Sequence, residues 1–576
     1  MSYHEFVTDR SVSISRGLPL ELEEGLGTLT LGGFLRDVTE RFGDREALVH
    51  CAGEAECERW SYQDLWERSC RIARSLMAVG LGKGERVGIL MANRPEFLAA
   101  VFGTALAGGV ASPISTFSTA SELGYLLELS AVSVLLFERR VLKKDFAEIL
   151  DDLDPAIGKG VPGSFSSTRF PFLRELAQVD GDGRGAMRSW SAFEALGNTE
   201  EPARLAKRAE AIVPSDPGVL FFSSGSTARP KGILSSHQGV SLQMWRMGRQ
   251  QGLNGEVRSW TANGFFWSGN FAMIVGGTLS MGGSLVLQRT FHAAQALELF
   301  EAEGVTFPFA WPHQWEQLTA SANWAAVDLS ALKYVDKTSP LAAHPTVSTD
   351  WIEPKHCYGN TETFTLSTAY PAMTTDDAAG ASHGVPLPGN IVRIVDPLSG
   401  LGVPLGESGE IAVKGPTLML GYLGVPFAES LDEQGFFRTG DGGHIDEQGR
   451  LHWKGRLNDI IKTGGANVSP LEIDEAIRAL PGVKLSQTVG VPHETLGEMV
   501  VSCVVFHPGT ETDEVDLRNH LRTVLASYKV PRRIITLEDG EVELTGSAKI
   551  KTGELRNLVA GRLAAEVETY ASESKG

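Results

Sequence analysis

The sequence predicts an α/β fold with parallel sheets, divided into a large N-terminal domain and a small C-terminal one. Short apolar runs alternate with amphipathic stretches: Arg86–Met91 reads as a strand, Arg94–Ala107 as a helix and Val132–Phe137 as a strand again, the pattern of strands joined by helical crossovers. At 576 residues the chain exceeds what one hydrophobic core usually organises, so two or more domains are expected. After Lys454 the pattern restarts as a compact unit. A turn is followed by a helix from Pro470 to Ala479, strands near Gln487 and Val500, a helix around Val515 to Ala526 and a final helix. The expected domains are therefore 1–454 and 455–576.

Between these elements, the longest apolar run, Phe97 to Ile114, is rich in Gly and Ala and broken by Pro113. It predicts a buried helix and a strand start rather than a membrane span. Residues 157–203 are polar, Gly- and Ser-rich and aperiodic, and are expected to form an irregular surface insertion. No internal repeat is present.

A net charge of -19, with no cluster of Lys and Arg, argues against a nucleic-acid surface. The N-terminal MSYHEFVTDR has no basic region followed by an apolar core, so no secretory signal is read there. The five cysteines, Cys51, Cys57, Cys70, Cys357 and Cys503, show neither metal spacing nor a disulfide framework. They are expected as small buried residues in a reducing, cytoplasmic protein.

The most informative local feature follows the apolar strand Gly218 to Phe222. The segment Ser223 to Ile233 (SSGSTARPKGI) places Ser223, Ser224, Gly225, Ser226 and Thr227 where backbone N–H groups and hydroxyls can hold polyphosphate, with Lys231 adding a positive charge. It is not the mononucleotide P-loop: no Gly-Lys-Ser/Thr ends it, and Pro230 stands where the second glycine belongs.

This loop resembles the phosphate-binding signature of the adenylate-forming superfamily, which includes acyl-CoA synthetases, aryl-CoA ligases, luciferases and peptide-synthetase adenylation domains. Further matches follow in the family's order: Tyr358-Gly-Asn-Thr-Glu362; Ser408-Gly-Glu with Lys414-Gly-Pro and Gly421-Tyr422; Phe437-Arg-Thr-Gly-Asp441; Gly455-Arg456 through Pro470-Leu-Glu472; and Ser547-Ala-Lys549. An N-terminal block, Gly84 to Leu90 with Asn93 and Glu96, is similar to that of the ligases, so the resemblance spans nearly the whole chain. It implies a large domain of two doubly wound sheets plus a small barrel-like sheet, and a mobile C-terminal α/β domain hinged near Arg456 to Asn458.

The resemblance also implies ATP, Mg2+ and coenzyme A, with a small-molecule acid as substrate, no nucleic acid and no membrane span; homodimerisation is left open. Thr361 and Glu362 would face the phosphates, Glu362 as an oxygen ligand of the hard kind Mg2+ prefers. Tyr358 could stack on adenine, alongside Gly359, Asn360, Thr338 and Ser339. Asp441 can accept hydrogen bonds from both ribose hydroxyls, and Arg456 would reach ribose or phosphate. Lys549 matches the mobile-domain lysine that bridges carboxylate and α-phosphate, while Gly464 and Gly465 would line the thiol's path and Lys462 would be presented to the site. His237, Trp267, Trp311 and Lys337 are expected at the acid.

The sequence departs from the family pattern in several places. Ala228 replaces the usual glycine of the phosphate loop, a strained choice if that position requires positive φ. Asn458 occupies the hinge, Glu543 and Ala548 flank Lys549, and His493 replaces an aspartate. Lys337-Thr-Ser-Pro340 stands where Gly-Gly-Ala-Pro is common, and Trp267 follows the Phe265-Phe266 pair in place of histidine. Together with Phe307, Phe309 and Trp311, these changes point to aromatic walls and a compact or aromatic acid. The expected activity is ATP-dependent formation of an acyl-adenylate, then transfer to coenzyme A. Two alternatives stay open: an amine, carrier-protein thiol or nitrite-diazotisation branch, and a degenerate nucleotide-binding scaffold.

Overall fold

The structure, a computed structural model, describes residues 11–51, 57–223, 230–459, 461–463, 466–493, 496–510, 512–525, 529–541 and 552–573. Two mainly parallel sheets form the heart of the chain. The first, of eight strands, runs in the order Met187–Ser189, Glu175–Gln178, Val134–Phe137, Arg86–Leu90, Val110–Pro113, Pro217–Ser223, Lys231–Ser236 and Gly421–Tyr422. It is parallel up to Pro217–Ser223 and antiparallel beyond it. The second runs Phe307–Phe309, Arg258–Thr261, Ser284–Leu287, Glu46–His50 and Glu58–Ser61. The helices Leu31–Phe42, Tyr62–Ala78, Pro95–Leu106 and His237–Gln250 contribute to one core shared with residues of both sheets.

Pro95–Leu106 shows why: every residue except Glu96 is buried. A helix apolar on all sides has to be enclosed by protein, and Pro95 at its first turn costs no helical hydrogen bond. The following strand, Val110–Pro113, is fully buried, as the apolar run predicts.

A third sheet is antiparallel throughout, in the order Ile14–Arg16, Ile391–Val395, Gly409–Lys414, Phe437–Ile445 and Leu451–Arg456. Bulges near Glu410 and Gly442 re-aim its last strands, the usual effect of an inserted residue. Its final ladder still pairs Asp441 with Arg456, and a single 3-10 turn, Leu457–Asp459, follows. Beyond it, Gly497–Phe506 pairs with Val483–His493, Ile461–Thr463 and Arg533–Thr536. The helices Pro470–Arg478, Glu514–Val524 and Thr552–Glu573 complete the order expected for the C-terminal unit. Among the described residues no helix is long and apolar enough to cross a membrane.

Two expectations are corrected. Residues 157–203 are not an irregular insertion: Glu175–Gln178 and Met187–Ser189 extend the eight-stranded sheet in parallel register. Ile157, Phe170, Leu173, Leu176, Met187 and Phe193 are buried beneath them. The short strands and long polar turns hid the periodicity, because a strand of three or four residues repeats its pattern too few times to register.

The cysteines are likewise not all isolated. Cys51 and Cys57 form a disulfide, because the last cross-strand pair of the Glu46–His50 hairpin, His50 with Glu58, sets the next two residues side by side. Cys70, Cys357 and Cys503 are free, and burial pushes their thiols up to about 12, 11 and 12 respectively. They are accordingly unreactive at neutral pH.

Alkylation of the denatured, unreduced protein should label the three thiols Cys70, Cys357 and Cys503, rising to five only after reduction. Five labelled thiols before reduction would contradict the hairpin disulfide. Leu176→Ala, at a fully buried position of the added strand, should cost about 2–5 kcal/mol in denaturant unfolding; a cost under about 0.5 kcal/mol would return the segment to the surface.

Candidate active site

The Ser/Gly-rich loop is the connection of a β-hairpin. Ser223 pairs with Lys231 across antiparallel strands, so both ends of the loop are held by the sheet, and Pro230 O accepts a bond from Tyr125 OH at 3.1 Å. Ser224, Gly225, Ser226, Thr227 and Ala228 lie outside the described residues. On the other side of the hairpin, Ile233 pairs with Tyr422. That register aligns three groups: the Lys231 ammonium lies 5.0 Å from the Tyr422 ring centroid, and Tyr422 OH donates to Glu362 Oε1 at 2.8 Å. Burial and the nearby Glu362 carboxylate hold the Tyr422 phenol well above its usual range, so it remains a donor.

Glu362 sits in a 3-10 turn, Thr361–Thr363, capped by Asn360. The Asn360 side chain accepts from Thr363 N at 3.0 Å, and Asn360 N donates to Thr363 Oγ1 at 3.2 Å. Asn360 thus has a structural use. Gly359 is required by crowding, since a Cβ there would meet Thr365 O at 1.8 Å. The turn ends in two consecutive left-handed residues, Phe364 (φ 47°) and Thr365 (φ 88°), conformations costly for side-chain-bearing residues and concentrated at functional sites. Gln243, fully buried on the His237–Gln250 helix, holds them by donating to Phe364 O and Leu366 O at 2.9 and 2.7 Å. Sequence reasoning missed Gln243; its one signal was an amide set between the apolar Leu242 and Met244.

Asp441 is the centre of the second cluster. Gly440, at φ 73°, takes the left-handed turn that a glycine permits, and brings the carboxylate under Tyr358. Tyr358 OH donates to Asp441 Oδ2 at 2.7 Å, and Arg456 Nε lies 3.1 Å from Oδ1. The approach to Oδ1 is off the hydrogen-bonding direction, and the Trp453 indole also bears on this buried carboxylate. Burial raises the Asp441 carboxyl above the usual range, with Arg456 and Tyr358 opposing. An ion-paired carboxylate whose net shift is upward is under-solvated. Oδ1 is enclosed, with the Arg456 guanidinium 3.1 Å away.

Tyr358 is only 5% exposed and packs in a cluster with Val392, Ile394 and Ile411. It orients Asp441. His237 is also interior, 1% exposed, with Nδ1 accepting from Leu31 N; burial lowers it to about 4, and it does not stand on a pocket wall.

The 337–339 segment is anchored from below by the buried Asp336. This carboxylate accepts from Thr338 N and Oγ1 and from Glu353 N, while Ser339 N donates to Asp336 O. Lys337 is exposed. Of the aromatics, Phe307 is core, beside Tyr334 and Trp351. Trp267 is half-buried against Phe266, and Trp311 is 37% exposed beside Phe309. Lys462 is exposed on its strand. Gly464, Gly465 and Lys549 lie outside the described residues. A cavity of about 300 Å³ walled by Arg16, Trp245, Arg249 and Leu387 touches none of the expected site residues.

The sequence matches the family model described as AMP-binding enzyme over residues 35–423, and that of the AMP-binding enzyme C-terminal domain over 472–549. It is 30% identical over 503 residues to a feruloyl-CoA synthase of Amycolatopsis sp, covering 86% of this chain and 93% of that protein. It is 27% identical over 552 residues to the mitochondrial medium-chain acyl-CoA ligase of Macaca fascicularis, covering 93% and 88%. The fold superposes on ATP-bound MatB from Rhodopseudomonas palustris with a TM-score of 0.71 and 25% identity, covering 92% of this chain and 98% of that one.

Because the Asp441 pKa is raised in the folded state, the native protein binds more protons than the unfolded chain between the two values. Stability therefore falls as pH rises through that window. Asp441→Asn should flatten this slope and unfold no earlier than the wild type at pH 7, yet weaken ATP binding about tenfold or more in calorimetry, the loss of a hydrogen bond to a charged group. Normal ATP affinity in the variant would remove Asp441 from the site.

Proposed function

Since the chain belongs to the AMP-binding enzyme family, we propose that it is an ATP-dependent acid–CoA ligase acting on a compact or aromatic carboxylic acid. The observation that carries this reading is the convergence of Lys231, Tyr422 and Glu362 beside the phosphate hairpin, with Asp441 held between Tyr358 and Arg456. In the first half-reaction, a carboxylate oxygen of the acid bonds to the α-phosphorus of ATP and the bond to the β-phosphate oxygen breaks, releasing pyrophosphate. No base is needed, because the acid is already ionised near neutral pH. The barrier is charge repulsion, and the chain's contribution is positive charge and donors placed in advance. Lys231 serves the departing phosphates, Thr361 donates to the α-phosphate, and Asp441 holds the ribose.

Glu362 Oε2 is not engaged by Tyr422, and its hard oxygen suits Mg2+, which would supply charge neutralisation between the phosphates. In the second half-reaction the thiol of coenzyme A bonds to the acyl carbon with loss of its proton, and AMP leaves with its new oxygen. Lys549 is assigned to the first step only, where two anions meet. Lys462 would approach the site for the second. Trp267, half-buried after Phe266, closes the acid pocket.

Incubation with ATP, coenzyme A and a panel of acids should give AMP, pyrophosphate and a thioester, with compact and aromatic acids preferred over long chains. Product formed only with an amine, a carrier protein or nitrite would replace the thiol acceptor. Trp267→Ala should extend acceptance to bulkier acids; a wild type that already prefers long chains would contradict the aromatic wall. Lys549→Ala should slow adenylation about a hundredfold while turning over a supplied acyl-adenylate with coenzyme A near the wild-type rate. Equal loss in both half-reactions would end the division of labour.

A further inference from the structure

Asn93 and Glu96 belong to the ligase-like N-terminal block, yet neither takes part in the chemistry above. Asn93 follows the carboxyl end of the Arg86–Leu90 strand and precedes the Pro95–Leu106 helix. Its side chain is buried, 5% exposed, and it reaches across to the other parallel sheet. Asn93 Nδ2 donates to Asn263 O at 2.8 Å and Oδ1 accepts from Phe265 N at 3.0 Å. One amide thus satisfies two backbone groups of the same turn, as a neighbouring strand would.

The turn is bolted from its far side too. Asn270 Nδ2 donates to Asn263 O at 2.8 Å, and Thr261 Oγ1 joins Asn270 Oδ1 and Asn263 N at 2.9 and 3.1 Å. Two residues after Phe265 comes Trp267, whose N–H returns to Gly264 O at 3.2 Å and whose carbonyl starts the following helix. That helix passes directly into a π-helix, Phe271–Gly276, a form found mostly at functional positions.

Asn93 is itself held rigid. Arg94 pairs with Glu96 at 2.8 Å, with Glu138 at 3.2 Å and with Asp180 at 3.1 Å. The fully buried Glu138 also accepts from Ala92 N at 2.8 Å. Phe97, on the same crossover, packs on Phe265 with ring centroids 5.6 Å apart. Ion pairs enclosed to this degree contribute through geometry more than through net stability.

We infer that Asn93 is a positioning residue for acid selectivity: it fixes the Asn263–Trp267 turn so that the indole stands at one depth in the acid pocket. The inference rests on the reading of Trp267 as that pocket's wall. Asn93→Asp is isosteric but sets an acceptor against Asn263 O, so the turn loses its clamp without leaving a cavity. Asn93→Ser, which keeps a smaller donor, should act in the same direction and less.

The readout is the ratio of kcat/KM for a bulky acid to that for a compact one, measured in wild type, Asn93→Asp, Asn93→Ser, Trp267→Ala and the Asn93→Asp/Trp267→Ala pair. Asn93→Asp should move the ratio about tenfold toward the bulky acid, with KM for ATP within about twofold. It should move it no further once Trp267 is alanine, since residues that act through one another do not add. If Trp267→Ala shifts the ratio but both Asn93 variants lower the two acids equally, or add their effect to that of Trp267→Ala, Asn93 is a folding residue only and the inference is overturned. If Trp267→Ala leaves the ratio unchanged, the pocket reading falls and takes this inference with it. Should Asn93→Asp not fold, Asn93→Ser alone decides between these outcomes.

Discussion

The buried carboxylate of Asp441 is the constraint around which the site is organised. It joins the Tyr358 segment to the last hairpin of the antiparallel sheet: Tyr358 closes on one oxygen, Arg456 stands over the other, and the pairing of Asp441 with Arg456 is the last rung before the turn into the C-terminal unit. The arrangement is unfavourable for the carboxylate, because burial outweighs the arginine and raises the carboxyl. The same pattern recurs at Phe364 and Thr365, left-handed residues held by Gln243 immediately after the turn that carries Glu362.

The two parallel sheets meet where their strands end, the usual place for a ligand crevice in open α/β sheets. Arg86–Leu90 and Arg258–Thr261 deliver Asn93 and Asn263 to that edge from opposite sheets, and a side-chain amide bridges them. The phosphate hairpin and the Gly421–Tyr422 strand extend one of these sheets with antiparallel strands, which brings Lys231 over Tyr422. The chemistry therefore depends on register: a shift of one residue in the Ile233–Tyr422 pairing would turn the phenol to the other face of the sheet and away from Glu362.

Much of this was legible in the sequence. The apolar runs at 86–91 and 97–114 placed the central strands and the enclosed helix, and Pro470 placed the start of its helix, because period and capping act locally. The ordered motifs likewise singled out Lys231, Glu362 and Asp441. The residues that hold the surrounding turns were less readable. Gln243 and Asp336 carried no signal, and Asn93 stood out only by its place in the ligase-like block; their partners are mainly backbone groups more than a hundred residues away or in irregular loops, and no spacing rule encodes such contacts. Tyr358 and His237 show the converse: residue type suggested ligand contact, and tertiary burial gives each a protein partner. The strands at 175–178 and 187–189 were missed because they are too short to show a period, and the Cys51–Cys57 bond because a hairpin's register, not cysteine spacing, brings the sulfurs together.

The central claim is that the chain joins the acid to the α-phosphorus of ATP. Isotope transfer tests it most directly. An accepted acid carrying 18O in both carboxylate oxygens is turned over with ATP and coenzyme A, and the products are analysed by mass spectrometry. Attack of the carboxylate on the α-phosphorus, followed by thiol attack on the acyl carbon, leaves one labelled oxygen in AMP and none in pyrophosphate. Unlabelled AMP, or label recovered in inorganic phosphate, would show that no acyl-adenylate forms and would contradict the adenylation roles of Lys231, Glu362 and Asp441.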